Sequence, residues 1–315
     1  MARQRCPVPG VADQAAEPAP PETGQRPTIQ WYPGHIAKAE QALTSQLAKV
    51  DLVLEVRDAR IPLATGHPHL ARWTRGKRHL LVINRRDMVS RVARTHWDQW
   101  FRRQGQQPLW CDARAGSGTG ALIQAALRSC EAINARRLRR SMRPRPVRAL
   151  MLGFPNVGKS ALINRLVGRR VVASARRAGV TRNLRWVRLG QALDLLDAPG
   201  VLPPRLEDQR AATLLAICDD IGEAAYGGEA VARALLERLV GLQVPWCEQP
   251  MVAVLGDRYG VSPEGDSHGW LQAAADRHTS GDGERMAQRL LDDFRKGLLG
   301  SAGLEHPPGR ESNPP

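Results

Sequence analysis

Residues 153–160 carry a spacing of side chains that can hold phosphate groups. They read Gly-Phe-Pro-Asn-Val-Gly-Lys-Ser, which fits the pattern G-x-x-x-x-G-K-[ST] in full. Gly153 and Gly158 let the backbone approach phosphate oxygens, and the N–H groups that open the following helix attract negative charge. We expect Lys159 to reach the β- and γ-phosphates and Ser160 to hold Mg²⁺. The alternative is a glycine-rich turn that binds nothing.

The whole loop is expected to surround the phosphates of a nucleotide. The residues predicted to contact it are Pro155, Asn156, Val157, Gly158, Lys159, Ser160 and Ala161. The loop follows a predicted strand and opens a predicted helix, as the geometry of such a site requires. This context favours the phosphate-binding interpretation over a chance turn.

Two short motifs follow the loop in the order found in nucleotide-dependent switches. Asp197 begins the stretch D-A-P-G at the end of a predicted strand, and Gly200 ends it. We expect Asp197 near Mg²⁺ and the Gly200 N–H near the γ-phosphate. Thr181, the other motif, lies between the phosphate loop and this stretch and is predicted to contact both Mg²⁺ and the γ-phosphate. A D-x-x-G stretch is common by chance. The prediction therefore depends on the order in which the phosphate loop, Thr181 and this stretch follow one another.

A base-reading motif lies upstream of the phosphate loop. The stretch N-R-R-D runs from Asn84 to Asp87, and the Asp87 carboxylate can accept hydrogen bonds from N1 and N2 of guanine. Adenine offers no such pair of donors, which disfavours an ATP-dependent kinase or ATPase. Arg85 replaces the usual lysine and can stack over the base. Ala113 and Arg114 lie in the stretch D-A-R, which fits a loop whose backbone N–H contacts the guanine oxygen.

The base motif therefore precedes the phosphate loop, which is the reverse of the ordinary order. The same parts in rotated order indicate a circularly permuted P-loop GTPase domain. Strands alternate with helices along this part of the chain, which predicts an α/β fold with a mostly parallel sheet and helices on both faces. Ligand loops then meet at the carboxyl ends of the strands. From Glu207 the hydrophobic period becomes helical, which predicts a small all-helical C-terminal domain.

These patterns divide the chain into four predicted parts. Residues 1–28 are rich in Pro, Ala, Gln and Glu, which predicts a disordered extension. The permuted GTPase domain is expected over residues 29–204, with an arginine-rich join at 136–148. The helical domain is expected over 205–300 and a flexible tail over 301–315.

Three positions bear on hydrolysis. Val201 follows Gly200, where many such GTPases carry a glutamine that orients water, so we expect slow hydrolysis by the protein alone. His35 is a candidate to act beside the γ-phosphate, and the alternative is a histidine that starts a helix. Asn156 inside the loop is typical of GTPases that bind K⁺ beside the phosphates, and the alternative is a turn-stabilising asparagine. The residues expected to take part in hydrolysis are His35, Lys159, Thr181 and Gly200.

Charge predicts a polyanionic partner. The formal net charge is +15 and the pI is about 10.8. The first 200 residues hold 35 basic and 13 acidic side chains, whereas the remaining residues hold 11 and 18. Seven arginines lie between 136 and 148, which predicts contacts to RNA phosphates, with a solvated linker as the alternative. The five scattered cysteines and the lack of a long apolar run predict a cytoplasmic protein without a membrane segment.

The combination of motifs resembles the YlqF/RbgA family of ribosome biogenesis GTPases. The resemblance rests on Pro-Gly-His ending at His35, on Asp-Ala-Arg-Ile-Pro at 58–62, on the rotated order and on the phosphate loop. It implies a cytoplasmic GTPase that acts late in assembly of the large ribosomal subunit and is stimulated by that particle. It also implies K⁺ dependence and a catalytic role for His35. Arg85, Asp112 and Ala198 depart from the family pattern.

Two hypotheses for function follow. The first is an enzyme that binds GTP, Mg²⁺ and the precursor of the large ribosomal subunit with its rRNA, and that leaves the particle on hydrolysis. The second is a GTP-gated RNA-binding module in which hydrolysis is incidental. We expect a monomer in either case. Turnover measured with and without precursor particles separates the two hypotheses.

Overall fold

Six strands form one sheet in the part of the chain that the structure describes. The structure is a computed structural model that describes residues 43–172, 185–198, 200, 208–221 and 226–309. Its strands are β1 Leu52–Asp58, β2 Arg78–Asn84, β3 Leu109–Trp110, β4 Val147–Leu152, β5 Arg185–Leu189 and β6 Leu193–Asp197. Every residue of β1 is buried, as expected for a strand that is covered on both faces.

The sheet joins the two halves of the permuted sequence. Its strand order is β3-β2-β1-β4-β6-β5, and all neighbouring pairs are parallel except β5 with β6. Leu52 of β1 lies opposite Arg78 of β2 on one side and Ala149 of β4 on the other. The strands that precede the arginine-rich join therefore share one sheet with the strands that follow it. The predicted mostly parallel sheet of a permuted P-loop domain is confirmed.

Helices cover both faces of this sheet. They are α1 Leu70–Trp73, α2 Arg91–Arg103, α3 Thr119–Arg139 and α4 Lys159–Val167, with a 3₁₀ turn at Arg86–Met88. Trp97 and Phe101 of α2 pack in one apolar cluster with Ile83 of β2. The preceding residue of β2, Val82, packs in another cluster with Leu122 of α3. Because successive side chains of a strand point to opposite faces, these two contacts place helices on both sides.

The C-terminal part is helical, as its period predicts. Its helices are α5 Gln209–Ile217, α6 Gly228–Val240, α7 Met251–Tyr259, α8 Ser267–His278 and α9 Gly283–Lys296. Asp208, Asp266 and Asp282 cap the starts of α5, α8 and α9, where each carboxylate accepts from free N–H groups. Within the described ranges no helix is long and apolar enough to cross a bilayer. The domain boundary at residue 205 falls outside the described residues and stays a prediction.

Residues 301–308, which the sequence predicts as the start of a flexible tail, contact the loop after β1. The N–H of Leu304 donates to the carbonyl of Arg60 at 2.9 Å. The Glu305 carboxylate accepts from two backbone N–H groups in the loop after β1, at 2.6 and 2.9 Å. Leu304 is buried, so this segment adds apolar contact to its hydrogen bonds. This segment contains glycine and proline and has no regular hydrophobic pattern, so its sequence does not predict these tertiary contacts.

A buried ion pair stands where β1 ends. The guanidinium of Arg60 donates to both carboxylate oxygens of Asp58, at 3.0 and 2.7 Å, and both side chains are fully buried. The same guanidinium lies 5.2 Å from the ring centroid of Phe294 in α9 and contacts the carbonyl of Cys218 beyond α5. Burial raises the pKa of Asp58, but Arg60 and Arg85 outweigh it and hold that pKa below its usual range. The pair therefore links the sheet to the C-terminal helices.

Replacing Arg60 by methionine should destabilise the fold strongly, because it leaves the Asp58 charge buried without its main partner. We expect the free energy of unfolding to fall by about 3–5 kcal/mol in denaturant titrations. The matched control is Arg102→Met, which removes the exposed pair of Arg102 with Asp98 on α2. That change should cost less than about 1 kcal/mol. Equal losses in the two variants would contradict a structural role for the buried pair.

Candidate functional site

The phosphate loop connects β4 to α4 and leaves its backbone close to two neighbouring segments. Gly158 has φ +99°, and a Cβ atom there would lie 2.2 Å from Nδ2 of Asn84. Gly200 follows β6, and a Cβ atom on it would lie 2.4 Å from the backbone nitrogen of Pro155. Only glycine tolerates these approaches, so the two glycines let the base motif and the D-x-x-G motif close on the loop.

Lys159 starts α4 inside this loop. Its ammonium donates to the carbonyls of Gly153 at 3.1 Å and Phe154 at 2.7 Å, and the residue is buried. Burial lowers the pKa of Lys159 to about 8, although the charges of Asp197 and Asp220 oppose this shift. Backbone oxygens of the loop therefore hold the Lys159 ammonium in place. Phosphate oxygens would compensate its charge better than carbonyls do.

Ser160 and Asp197 form a pair of hard oxygen donors beside the loop. The Ser160 hydroxyl donates to Oδ2 of Asp197 at 3.0 Å. The other oxygen, Oδ1, is buried and has no hydrogen-bond partner within the described part of the chain. Burial raises the pKa of Asp197, against the hydrogen bond from Ser160 and the charge of Lys159. An orphaned carboxylate oxygen next to a hydroxyl fits Mg²⁺, which prefers oxygen ligands and keeps part of its water shell.

Asn84 connects the base motif to two other loops. Its Nδ2 donates to the carbonyl of Val157 in the phosphate loop at 2.8 Å. Its Oδ1 accepts from the N–H of Ala113 at 3.0 Å. The side chain is buried, and both ends of its amide are satisfied. The Ala113 N–H predicted to contact the guanine oxygen therefore bonds to Asn84 in this structure, and its contact with the base stays a prediction.

Arg85 bridges the base motif and the phosphate loop. Its guanidinium donates to the carbonyl of Asn156 at 2.6 Å and lies 3.2 Å from a carboxylate oxygen of Asp58. An arginine has enough donors to make both contacts at once, whereas a lysine ammonium is a point charge. Arg85, which replaces the usual lysine, thus contacts the phosphate loop.

The Asp87 carboxylate is exposed beyond the end of β2. Partial burial and the neighbouring charge of Asp112 raise its pKa. Arg114 is exposed in the adjacent loop, and its N–H donates to Asp112 at 2.7 Å. Arg165 of α4 holds this loop through the carbonyls of Ala113 and Arg114. The two segments predicted to read the base therefore lie next to each other, with Asp87 accessible.

Asp219 and Arg165 were missed by sequence patterns. Nδ2 of Asn156 donates to the carbonyl of Asp219 at 2.5 Å and lies 3.3 Å from its carboxylate. Asp219 lies just beyond α5, so the segment that follows this helix contacts the phosphate loop directly. Its separation of 63 positions from Asn156 leaves no local signal in the sequence.

Three predicted residues lie outside the described residues. They are His35, Thr181 and Val201. Their proposed roles in hydrolysis stay predictions, as does K⁺ binding at Asn156. Across the described ranges no three His, Cys, Asp or Glu residues form a metal cluster, so a divalent ion would depend on Ser160, Asp197 and the phosphates.

Comparisons with known proteins agree with this geometry. A family model described as a 50S ribosome-binding GTPase matches residues 148–231. Ribosome biogenesis GTPase A of Bacillus pumilus is 34% identical over 205 residues, which cover 65% of this chain and 73% of that protein. The Bacillus cereus protein of the same name is 38% identical over 197 residues, covering 61% and 67%.

The chain belongs to the ribosome biogenesis GTPase A family. The predicted resemblance is thereby confirmed, and the chain is a GTPase. Guanine nucleotide and Mg²⁺ are the ligands that such a GTPase uses. The crystal structure of GNP-bound YlqF from T. maritima has the same fold, with a TM-score of 0.60 at 21% identity over 86% of this chain and 99% of that one.

Binding of GTP should draw a proton onto Lys159 above pH 8. In the free protein its pKa is about 8, and the phosphates raise it on binding. Calorimetric titrations at pH 8.5 in two buffers of different ionisation enthalpy should therefore show uptake of more than half a proton per nucleotide. The affinity for GTP should fall as the pH rises through 8 towards 10.

The same titrations at about pH 7 are the control. There Lys159 is mostly protonated in both states, so its share of the uptake should be small. Buffer-independent enthalpies at pH 8.5 would contradict the assignment of Lys159.

Proposed function

We propose that this protein is a GTP-hydrolysing assembly factor for the large ribosomal subunit. It acts late in maturation on the precursor particle and its rRNA, and the particle stimulates its hydrolysis. It works as a monomer in the cytoplasm. Membership of the ribosome biogenesis GTPase A family supports the GTPase activity and the link to ribosome assembly. The choice of the large subunit is further supported by the match to the 50S ribosome-binding GTPase model.

One observation carries the nucleotide specificity. The Asn84 amide donates to the phosphate-loop carbonyl of Val157 at 2.8 Å and accepts from Ala113 at 3.0 Å. These bonds join the base motif, which ends at Asp87, to the phosphate loop and to the loop of Ala113. A carboxylate there accepts from the two N–H donors of guanine, which adenine lacks. This geometry supports GTP rather than ATP as the substrate.

The loop residues divide the work of binding. The backbone N–H groups of residues 157–161 cradle phosphate oxygens at the N-terminus of α4. Lys159 exchanges its carbonyl partners for the β- and γ-phosphates, and Gly200 offers its N–H to the γ-phosphate. Ser160 and Asp197 would hold Mg²⁺, with Thr181 as a further ligand. The ion would supply positive charge that offsets the negative charge on the phosphates.

Hydrolysis needs a group that orients the attacking water, and the residue after Gly200 does not supply it. Val201 is apolar and cannot orient water, so we assign this step to His35 or to the particle. K⁺ at Asn156 would add positive charge beside the leaving phosphate. Loss of the γ-phosphate frees Gly200 from its ligand, and the contact of Asn156 with Asp219 connects the loop to the C-terminal helices.

The main experiment is GTP turnover with and without purified precursors of the large subunit. We expect the precursors to raise the rate, because the apolar Val201 occupies the position where many such GTPases carry a water-orienting glutamine. Precursors of the small subunit at equal concentration are the control. A rate that no precursor raises would favour a GTP-gated RNA-binding module in which hydrolysis is incidental.

Replacing Asp87 by asparagine should shift the base preference from guanine to xanthine. The amide donates where the carboxylate accepts, and xanthine carries an oxygen at the position of the guanine amino group. We expect the affinity for GDP to fall by about tenfold or more while that for xanthosine diphosphate rises. Asp98→Asn on α2 is the matched control, since Asp98 contacts Arg102 on the same helix. An unchanged preference for guanine would overturn the assignment of Asp87.

A further inference from the structure

A basic surface lies around the arginine-rich join and the outer strands of the sheet. We call it the arginine–tryptophan surface, and its members are Arg136, Arg139, Arg140, Arg143, Arg145, Arg148, Trp186 and Arg188. Arg136, Arg139 and Arg140 end α3 or follow it, and Arg148 lies in β4. All its basic residues are arginines, whose planar guanidinium groups suit phosphates and aromatic rings better than lysine does.

The join is held in place by hydrogen bonds. The side chain of Asn134 accepts from the N–H of Arg145 at 3.2 Å and donates to its carbonyl at 3.0 Å. Asp51 accepts from the Arg145 guanidinium at 3.0 Å and from the Arg148 N–H at 3.1 Å. The segment therefore presents its arginines in a defined arrangement. This argues against the alternative of a solvated linker.

The basic surface continues across the sheet to its edge. Arg148 of β4 lies opposite Asp194 of β6, which in turn lies opposite Arg188 of the edge strand β5. Asp194 pairs with Arg188 at 3.1 Å. Arg136, Arg139 and Arg140 are exposed, and no carboxylate among the described residues pairs with them. The surface thus keeps an excess of uncompensated positive charge.

An exposed tryptophan, Trp186, lies beside one of these arginines. Trp186 of β5 is 41% exposed, whereas its neighbour Val187 is buried. The guanidinium carbon of Arg148 lies 5.7 Å from the centroid of a Trp186 ring. An exposed indole beside arginines is the arrangement on which unpaired bases stack while guanidinium groups contact the backbone.

We propose that the arginine–tryptophan surface binds single-stranded RNA, with a base stacked on Trp186 and phosphates on the arginines. The proposal rests on the proposed function, since it names the form of rRNA that this part of the protein recognises. Duplex RNA would offer the same phosphates but no unpaired base for the indole. Single-stranded segments of a particle that is still maturing have both.

The test compares two fluorescein-labelled oligonucleotides of ten residues, oligo(U) and its abasic ribose-phosphate equivalent. Binding to the full-length protein in GDP is measured by anisotropy. The wild type should bind oligo(U) about fivefold or more tightly than the abasic chain, because stacking adds to the phosphate contacts. Trp186→Ala should lose this preference, and Trp186→Phe should keep part of it. The control is Val252→Ala in α7, where the side chain is equally exposed at 41%.

Neutralising two arginines should have a different effect. In the double variant Arg136→Gln/Arg139→Gln the plot of log affinity against log salt should flatten by about 0.7 for each lost phosphate contact. The preference for oligo(U) over the abasic chain should remain. The two sets of variants thus separate stacking from charge.

Two results would overturn the proposal. One is an equal preference for oligo(U) in the wild type and in Trp186→Ala, with both proteins folded by circular dichroism. The other is a loss of binding to anionic lipid vesicles in Trp186→Ala without any change in RNA binding. GTP turnover stimulated by large-subunit precursors is measured on the same variants. If precursors stimulate the wild type but it shows no preference for bases, the proposed function stands and only this inference fails.

Discussion

The amide of Asn84 is the interaction on which the nucleotide site depends. It joins the end of β2 to the phosphate loop through the Val157 carbonyl and to the third loop through the Ala113 N–H. A short side chain with one donor and one acceptor arm is required, because the two partners belong to loops on different strands. The glycine at 158 leaves room for this amide, since a Cβ atom there would lie 2.2 Å from it. The amide of Asn84 therefore requires a glycine at position 158.

The permuted chain order leaves this site intact because a parallel sheet brings the carboxyl ends of its strands to one edge. β1 pairs with β2 from its own half and with β4 from the other half, so the connection between the halves can be moved without disturbing the strand ends. The relocated connection is the arginine-rich join on the side where β4 begins. Permutation thus separates the nucleotide, at one edge of the sheet, from the basic join at the other.

Buried charge couples the nucleotide loops to the C-terminal helices. Asp58 pairs with Arg60 and lies 3.2 Å from Arg85, which contacts the phosphate loop. Burial and the charge of Asp58 raise the pKa of Asp220, a fully buried residue beyond α5. Charges in such a position are costly unless they are compensated, so a shift of the loop changes the free energy of the contact with the helices. This provides a physical route between nucleotide state and the helical part.

The sequence by itself determined the chemistry of the site and the class of the fold. Phosphate binding demands Gly158, Lys159 and Ser160 at fixed spacing on one short segment, and alternating strands and helices follow from hydrophobic periods of a few residues. Only the tertiary structure decided that Asp219 contacts Asn156 and that Leu304 packs beside Arg60. These partners are separated by tens or hundreds of positions and follow no local period. Their contacts exist because the folded sheet and helices bring them together, and a single sequence carries no local signal of that approach.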